Sequence, residues 1–223
     1  MAKKNILILC GPCGTGKTNT AINIAINLKR KGKNVTFIDL DLINSYFSSS
    51  FFSKIFKDND IELIAPSFSG SNLDIPVIPS DIYSIFNKPE RNFIIDVGGD
   101  NSGAKVLGRF FKELNKNGYD MFLVINKYCV TSENLDLLSR KALDIQTASR
   151  LKLTGIINNS NLANYTKPSD VVKSISFAKQ LSSQLCLPIV MNTALTPLVP
   201  HIRKEISSLY PVNIYVDPWN RSN

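Results

Sequence analysis

The sequence has little of the material from which several common kinds of site are built. Its 223 residues include one histidine and four cysteines. A single histidine excludes metal sites made of several histidines and leaves little with which to build a Ser-His-Asp triad. Four cysteines are too few for a disulfide framework in a chain of this length, which is typical of a reducing compartment. We therefore expect a cytoplasmic protein.

Long hydrophobic runs are also missing. The apolar stretches are short, such as Ile6–Cys10 and residues 121–125, and a membrane-spanning helix needs about 20 residues. We therefore expect no transmembrane segment. The amino-terminal stretch carries two lysines before its apolar run, but that run continues into a glycine loop without a cleavage site. This pattern indicates a first strand rather than a signal peptide.

Acidic residues are outnumbered by basic ones, 18 to 26, which gives a formal net charge of +8. Such an excess can indicate a polyanionic partner, because clustered lysine and arginine attract phosphate backbones. The densest basic run is Lys29, Arg30, Lys31 and Lys33. It lies at the end of a predicted helix, where cations also complement the helix dipole. Nucleic acid is therefore a weakly supported candidate partner.

Short apolar runs alternate with stretches of helical period, which is typical of a parallel sheet with crossover helices. Strands are predicted at residues 6–10, 35–39, 93–96, 121–126, 155–158 and 188–191, and helical stripes at residues 21–28, 104–114, 135–145 and 171–181. Thr131 or Ser132 is the expected N-cap of the third helix. The expected fold class is α/β, a three-layer α/β/α arrangement with a mostly parallel central sheet, and residues 1–223 are expected to form one domain.

A glycine-rich segment follows the first predicted strand and precedes the first predicted helix. It reads GPCGTGKT and matches the pattern G-x-x-x-x-G-K-[ST], which binds the phosphates of nucleotides when it connects a strand to a helix. The expected fold is therefore that of a P-loop nucleoside triphosphatase. The residues predicted to bind the nucleotide are Gly11, Pro12, Cys13, Gly14, Thr15, Gly16, Lys17, Thr18 and the adjoining Asn19.

Each part of this loop has a physical role. The glycines let the backbone curl so that successive N–H groups point at an anion, beside the positive end of the following helix. Lys17 supplies a mobile positive charge for the β- and γ-phosphates, and we expect it to be catalytic. Thr18 offers a hydroxyl ligand to Mg²⁺.

Carboxylates follow two later strands. Ligands of open α/β sheets bind beyond the carboxyl ends of the strands, so acids at these ends are candidates for the site. Asp96, in FIIDVGGD, is expected to hold Mg²⁺ directly or through water. Asp39, in FIDLD, is expected to position the attacking water or a metal-bound water. Asp41 fits either a functional role or the capping of a turn.

With these motifs in order, the chain resembles the MinD/ParA-type branch of P-loop ATPases, which includes nitrogenase iron protein and related assembly ATPases. The resemblance covers residues 5–191 and rests on the loop, IDLD, IIDVGG and GIINN. It implies that Asn158, at the end of a later strand, contacts the adenine base, with Asn159 beside it. Asn126 is a weaker candidate. The chain also resembles uncharacterised bacterial proteins known only as ATP-binding.

One residue departs from the family's pattern. Loops of this family carry a lysine that reaches the partner's phosphates in a nucleotide-bridged dimer, and Pro12 holds that place here. Proline has no charge, so this sequence gives no basis for that form of dimer activation. Signal-recognition GTPases also lack the lysine, but Asn126-Lys127-Tyr128-Cys129 lacks the aspartate that would read guanine. ATP with Mg²⁺ is therefore the expected ligand.

Three functions fit this sequence. The first is a slow Mg²⁺-dependent ATPase that acts as a nucleotide switch, with a protein partner or as a nucleotide-dependent homodimer. The second is a small-molecule kinase or an ATP-dependent ligase of the dethiobiotin or cobyrinate synthetase type, with a substrate held by the irregular residues 44–79. The third is a ParA-like DNA-binding ATPase. For the switch, we expect residues 45–60 to change hydrogen exchange between ATP and ADP states.

Two minor predictions concern cysteine. Cys10 and Cys13 form a C-x-x-C pair, and a disulfide between them would constrain the phosphate loop, which makes redox gating a hypothesis. Cys129 and Cys186 are isolated in the sequence, so we expect both to be buried as small apolar groups.

Overall fold

A computed structural model describes residues 5–41, 51–65, 82, 83, 86, 88, 90–99, 101–132 and 134–216. Within these residues the chain forms one eight-stranded sheet in which every pair of neighbouring strands is parallel. The strands are β1 (Ile6–Cys10), β2 (Val35–Leu40), β3 (Glu62–Ile64), β4 (Asn92–Val97), β5 (Asp120–Ile125), β6 (Gly155–Asn158), β7 (Ile189–Leu195) and β8 (Leu209–Val212). Their spatial order is β3-β2-β4-β1-β5-β6-β7-β8.

Seven helices cover the sheet in the described part of the chain. They are α1 (Lys17–Arg30), α2 (Phe51–Asp58), α3 (Asn101–Leu107), α4 (Phe111–Asn117), α5 (Leu135–Ser149), α6 (Pro168–Leu185) and α7 (Val199–Ile202). One apolar cluster joins α1 and α2 to one face of the sheet, and another joins α3 to α6 to the opposite face. The expected three-layer α/β/α arrangement is confirmed.

The central strands are apolar on both faces because helices cover both. In β1, Ile8 and Cys10 belong to the cluster under α3 to α6, whereas Leu9 belongs to the cluster under α1. Alternate side chains of a strand point to opposite faces, so an uninterrupted apolar run is what a doubly covered strand requires. All six strands expected from the sequence are present, with ends that shift by a few residues.

Two strands lie at the edges of the sheet. Strand β3 lies at one edge, next to β2. The sequence analysis missed β8, which contains Pro211 and, among the described strands, pairs with β7 alone. Proline cannot donate a hydrogen bond to a neighbouring strand, so it is tolerated at an edge and conceals the strand in the sequence.

The start of α5 differs from the prediction. Neither Thr131 nor Ser132 caps this helix; both lie in a short 3₁₀ helix, and Asn134 is the N-cap. The Asn134 side-chain oxygen accepts hydrogen bonds from the backbone N–H groups of Asp136 and Leu137, at 2.9 and 3.1 Å. The single helical stripe at residues 104–114 is also divided, because a 3₁₀ turn at Gly108–Phe110 separates α3 from α4.

The predictions for the two isolated cysteines, for residues 44–79 and for membrane spans have different outcomes. Cys186 is exposed rather than buried, because it forms the left-handed C-cap of α6, and Cys129 is half-buried. Of the irregular segment 44–79, residues 51–65 are described. Residues 45–50 of the stretch expected to change with nucleotide lie outside them, residues 51–60 form α2 and the turn after it, and the expected change in hydrogen exchange stays a prediction. No described helix is both long enough and apolar enough to cross a membrane.

Candidate phosphate and metal site

The phosphate loop begins where β1 ends, and its shape requires glycine. Gly11 has φ +138°, and a Cβ atom there would lie 2.5 Å from the Val124 carbonyl oxygen of β5. Gly16 has φ +80°, and its Cβ would lie 2.4 Å from Asn159 Nδ2. Both angles are unfavourable for residues with side chains. The glycines therefore allow the loop to curl tightly between neighbouring strand ends.

Lys17 begins α1, and its side chain folds over the loop. It is 6% exposed, and its Nζ donates a hydrogen bond of 3.0 Å to the Pro12 carbonyl oxygen. The Thr15 hydroxyl donates to the same oxygen at 2.9 Å. Pro12 thus contributes a buried backbone acceptor that holds the lysine over the loop. A bound phosphate would offer the same ammonium a charged acceptor.

The structure brings Thr18 and Asp96 into direct contact. The Thr18 hydroxyl donates a hydrogen bond of 2.5 Å to Asp96 Oδ2. Asp96 lies in β4, beside β1, and is 2% exposed. The other carboxylate oxygen, Oδ1, is buried without a hydrogen-bond partner among the described residues. The two predicted metal ligands are therefore adjacent, although 78 residues separate them in the sequence.

Asp39 is the neighbour of Asp96 across the sheet. The two residues pair in the parallel register of β2 and β4, and Asp39 is 5% exposed. Asp39 Oδ1 accepts a hydrogen bond of 2.8 Å from the Asp41 backbone N–H. This bond fixes the Asp39 carboxylate at the carboxyl end of β2, beside the predicted metal ligands.

When two carboxyl groups lie next to each other in the protein interior, the negative charge of one makes ionisation of the other less favourable. Burial raises the pKa of Asp96 to about 7, and the Asp39 charge adds to the rise. Lys17 and the hydrogen bond from Thr18 act in the opposite direction. A cation at this position would favour the ionised carboxylate, because an opposite charge stabilises it.

Asn158, the residue expected to contact adenine, lies inside the protein. Its side chain is 1% exposed. Its Nδ2 donates to Ser174 Oγ at 2.9 Å and to Asn192 Oδ1 at 3.1 Å, and its Oδ1 accepts from Ser160 Oγ at 2.7 Å. Both amide hydrogens are thereby used. The adenine contact remains a prediction, and a bond donated to the base would require Asn158 Nδ2 to give up one of these partners.

Asn159 reaches the phosphate loop instead. Its Nδ2 donates a hydrogen bond of 2.8 Å to the Thr15 carbonyl oxygen, and its Oδ1 accepts one of 2.5 Å from Thr193 Oγ1 of β7. The sequence analysis gave this residue no role of its own. No local pattern in the sequence reveals this role, because the contact joins residues 144 positions apart.

The Asn19 side chain forms its hydrogen bonds away from the phosphate loop. Its Nδ2 donates to the Asn213 carbonyl oxygen at 3.0 Å, and its Oδ1 accepts from the backbone N–H groups of Tyr215 and Val216 at 2.8 and 3.2 Å. The predicted nucleotide contact of Asn19 is therefore left to its backbone N–H group.

Cys10 and Cys13 do not form the disulfide that the redox-gating hypothesis requires. All four cysteines are free, and burial raises the pKa of Cys10 to about 12. A thiol that stays protonated at neutral pH is a poor nucleophile, which speaks against redox gating through Cys10 and Cys13. Cys13 is exposed, and its carbonyl oxygen accepts hydrogen bonds from Cys129 Sγ and Thr131 Oγ1 at 3.4 and 3.0 Å. These two residues support the loop from the β5 side.

A glycine loop between a strand and a helix, a lysine over it and a threonine–aspartate pair beside it define a P-loop nucleotide-binding protein. The chain belongs to the CobQ/CobB/MinD/ParA nucleotide binding domain family, whose model matches residues 6–172. This match confirms the resemblance to MinD/ParA-type proteins. None of the curated proteins matches the sequence.

Solved structures share the fold at low identity. Chloroplast FtsY from Physcomitrella patens is 14% identical, with a TM-score of 0.56 over 85% of this chain and 58% of that one. FtsY from Mycoplasma mycoides is 16% identical, with a TM-score of 0.53 over 84% and 59%. FlhF complexed with GTP and Mg²⁺ is 17% identical, with a TM-score of 0.51 over 84% and 64%. The chain thus spans about three fifths of these proteins, and the likeness concerns the fold alone.

Proposed function

We propose that this protein binds ATP with Mg²⁺, hydrolyses it slowly and acts as a nucleotide-dependent switch. The observation that carries the proposal is the contact between Thr18 and Asp96, 2.5 Å long, next to Lys17 and the glycine loop. A hydroxyl and a carboxylate at this place have a shared use in nucleotide chemistry, which is to hold the metal ion that accompanies the phosphates.

The donor set suits magnesium. Mg²⁺ prefers oxygen ligands and is bound through one or two protein groups together with phosphates and water. Thr18 Oγ1 and Asp96 supply such oxygens, and the buried Asp96 Oδ1 lacks a hydrogen-bond donor among the described residues. Asp39 pairs with Asp96 one strand away, beside the proposed metal position. When bound, the ion would neutralise phosphate charge.

The chain's own residues support hydrolysis in two ways. The Lys17 ammonium provides positive charge where the negative charge on the terminal phosphate is redistributed during transfer. The Asp39 carboxylate, held by the Asp41 N–H, accepts a hydrogen bond from the attacking water and orients it. Pro12 offers only its carbonyl oxygen to the loop. Without the additional lysine of the family's loops, we expect hydrolysis to be slow in the isolated protein.

Adenine is the proposed base, although the named structural neighbours include one in complex with GTP. Guanine recognition requires an acceptor for its N1–H and amino hydrogens, and carboxylates are the acceptors best suited to two donors. The loop after β6, residues 159–167, contains no aspartate or glutamate, and the loop after β5, residues 126–134, contains a single one, Glu133, outside the Asn126-Lys127-Tyr128-Cys129 segment. Their amides can serve adenine, which presents both a donor and an acceptor.

Two other functions stay open as alternatives. A kinase or ligase would place its substrate near residues 44–79, of which residues 51–65 are described. DNA binding would use the basic run after α1, but Lys29 Nζ already lies 2.5 Å from Asp60 Oδ2. A DNA-binding function would give an affinity that falls steeply with salt, and a ligase or kinase would release ADP only with its metabolite.

Competition between nucleotides tests the proposal. Purified protein is titrated with a fluorescent ATP analogue in Mg²⁺, and ATP or GTP is then added as competitor while phosphate release is measured separately. We expect ATP to compete at least tenfold better than GTP, a difference of about 1.4 kcal/mol, and we expect slow phosphate release without any metabolite. Equal or better competition by GTP would overturn the choice of base.

A further inference from the structure

Three asparagines of helix α1 form hydrogen bonds to the carboxyl-terminal part of the described chain. Asn19, Asn23 and Asn27 recur at intervals of four residues, so they lie on one side of the helix. Asn23 Nδ2 donates to the Asn213 carbonyl oxygen at 2.8 Å, and Asn23 Oδ1 accepts from the Asn213 N–H at 2.8 Å. Asn27 Nδ2 donates to the Tyr210 hydroxyl at 2.8 Å.

Residues 213–216, here called the strap, follow the last strand. Their backbone groups at Asn213, Tyr215 and Val216 are bonded to side chains of α1. Asparagine is a poor helix former, and three of them on one helix face weaken the helix unless their amides are used elsewhere. Here the side-chain amides of all three asparagines form hydrogen bonds to the strap or to the adjoining strand β8.

The strap meets the helix at the turn that serves the phosphate site. Asn19 directly follows Thr18, and its side chain alone makes three of the bonds to the strap. The first turn of α1 also presents the backbone N–H groups that attract phosphate. Attachment of the strap to α1 therefore fixes the orientation of the helix turn that carries Thr18.

The carboxyl-terminal strands also touch the loop from a second direction. Thr193 of β7 donates to Asn159, and Asn159 donates to the Thr15 carbonyl oxygen inside the loop. Thr193 pairs with Tyr210 in the register of β7 and β8. The phosphate loop and the first turn of α1 are thus both bonded to the same carboxyl-terminal unit.

We propose that Asn19 is a positioning residue, and that nucleotide binding and attachment of the strap strengthen each other. The inference rests on the proposed function, because it concerns a nucleoside triphosphate at the loop. The Asn19 side chain acts on the nucleotide only through the strap and the helix turn. By linkage, if the attached strap favours the bound nucleotide, then the bound nucleotide favours the attached strap to the same extent.

Two matched variants test the inference. Asn19→Ala removes the bonds to the strap beside the site, whereas Asn27→Ala removes one bond of the same series two turns farther along the helix. We expect Asn19→Ala to weaken Mg²⁺-ATP binding by about 5- to 20-fold, within the usual range of coupling between sites. We expect Asn27→Ala to change the affinity less than about twofold.

Hydrogen exchange supplies a readout that a purely structural role would not move. In the unmodified protein, Mg²⁺-ATP should slow exchange of the Tyr215 and Val216 amides, because both donate to Asn19. In Asn19→Ala this dependence on nucleotide should disappear. Tyr215→Pro, which removes a strap donor and leaves α1 intact, should reproduce the loss of affinity and serves if Asn19→Ala does not fold.

The outcomes separate the two proposals. Absence of ATP binding by the unmodified protein would overturn the proposed function and this inference with it. The inference alone fails if the unmodified protein binds ATP while Asn19→Ala and Tyr215→Pro bind it equally well, or while Asn27→Ala loses as much. It also fails if ATP leaves the exchange of residues 215 and 216 unchanged.

Discussion

Asp96 shows how one buried side chain connects stability with binding. Its carboxyl group is surrounded by protein, lies beside Asp39, and has its pKa raised to about 7. In the unfolded chain the same group has an ordinary pKa near 3.8. The folded state therefore binds a proton more tightly, and the stability that this provides is present below the unfolded pKa and lost as pH rises through about 7.

Replacing Asp96 by asparagine should remove this pH dependence. Asparagine cannot ionise and still accepts the Thr18 hydrogen bond, so Asp96→Asn should raise the free energy of unfolding at pH 8 by on the order of 2 kcal/mol. The gain should shrink toward pH 5. Urea unfolding of both proteins at several pH values, without nucleotide or Mg²⁺, measures it. A difference that stays constant with pH would contradict this account.

Among the elements, the turn from β1 to α1 is the most constrained. Gly11 has no room for a Cβ beside Val124 of β5, and Gly16 has none beside Asn159. Gly32, after α1, has φ +73° but no atom within 4 Å of the position of a Cβ. Substitutions at Gly11 and Gly32 therefore separate the free-energy cost of a steric clash from the cost of an unfavourable backbone angle alone.

Gly11→Ala and Gly32→Ala form a matched pair. Gly32→Ala should lower the free energy of unfolding by about 1 kcal/mol through the left-handed angle alone. Gly11→Ala should lower it by about 3 kcal/mol or more, because the backbone of β1 or β5 must also shift. Thermal unfolding of the two variants measures both losses of stability. Equal losses would show that the contact between the loop and β5 is not tight.

The start of α5 offers a second test. Asn134→Ala removes the side-chain oxygen that accepts two backbone hydrogen bonds, and it should cost about 1 kcal/mol. Ser132 was a candidate for this cap, but its buried hydroxyl has no partner in the described structure. Ser132→Ala should therefore be neutral or slightly stabilising. Denaturant unfolding that ranked the two variants in the opposite order would restore Ser132 as the cap.

Elements could be predicted from the sequence where their pattern is local. The apolar runs of β1, β4 and β5 are continuous because helices cover both faces, and that pattern is visible in any single stretch. Strand β8 escaped prediction because it is four residues long and contains Pro211. The cap of α5 was misplaced because several residues before this helix are suitable, and only the backbone path selects Asn134.

At the scale of the whole molecule, the predicted part of the site comes from motifs and the missed part from long-range contacts. The loop, Asp39 and Asp96 lie at strand ends that any parallel sheet brings to one edge. The contacts of Asn159 with Thr15 and of Asn19 with the strap join residues 144 and up to 197 positions apart. No pattern within one segment contains that information, so these contacts appear only when the chain is folded.

The central claim is that the loop of this protein binds a magnesium nucleotide through Lys17. Isothermal titration calorimetry with ATP tests it directly, using the unmodified protein, Lys17→Ala and Lys179→Ala, which removes an exposed lysine of α6. We expect binding that requires Mg²⁺ in the unmodified protein and in Lys179→Ala. In Lys17→Ala we expect the affinity to fall at least 100-fold, about 2.7 kcal/mol. Unchanged ATP affinity in Lys17→Ala would contradict the account.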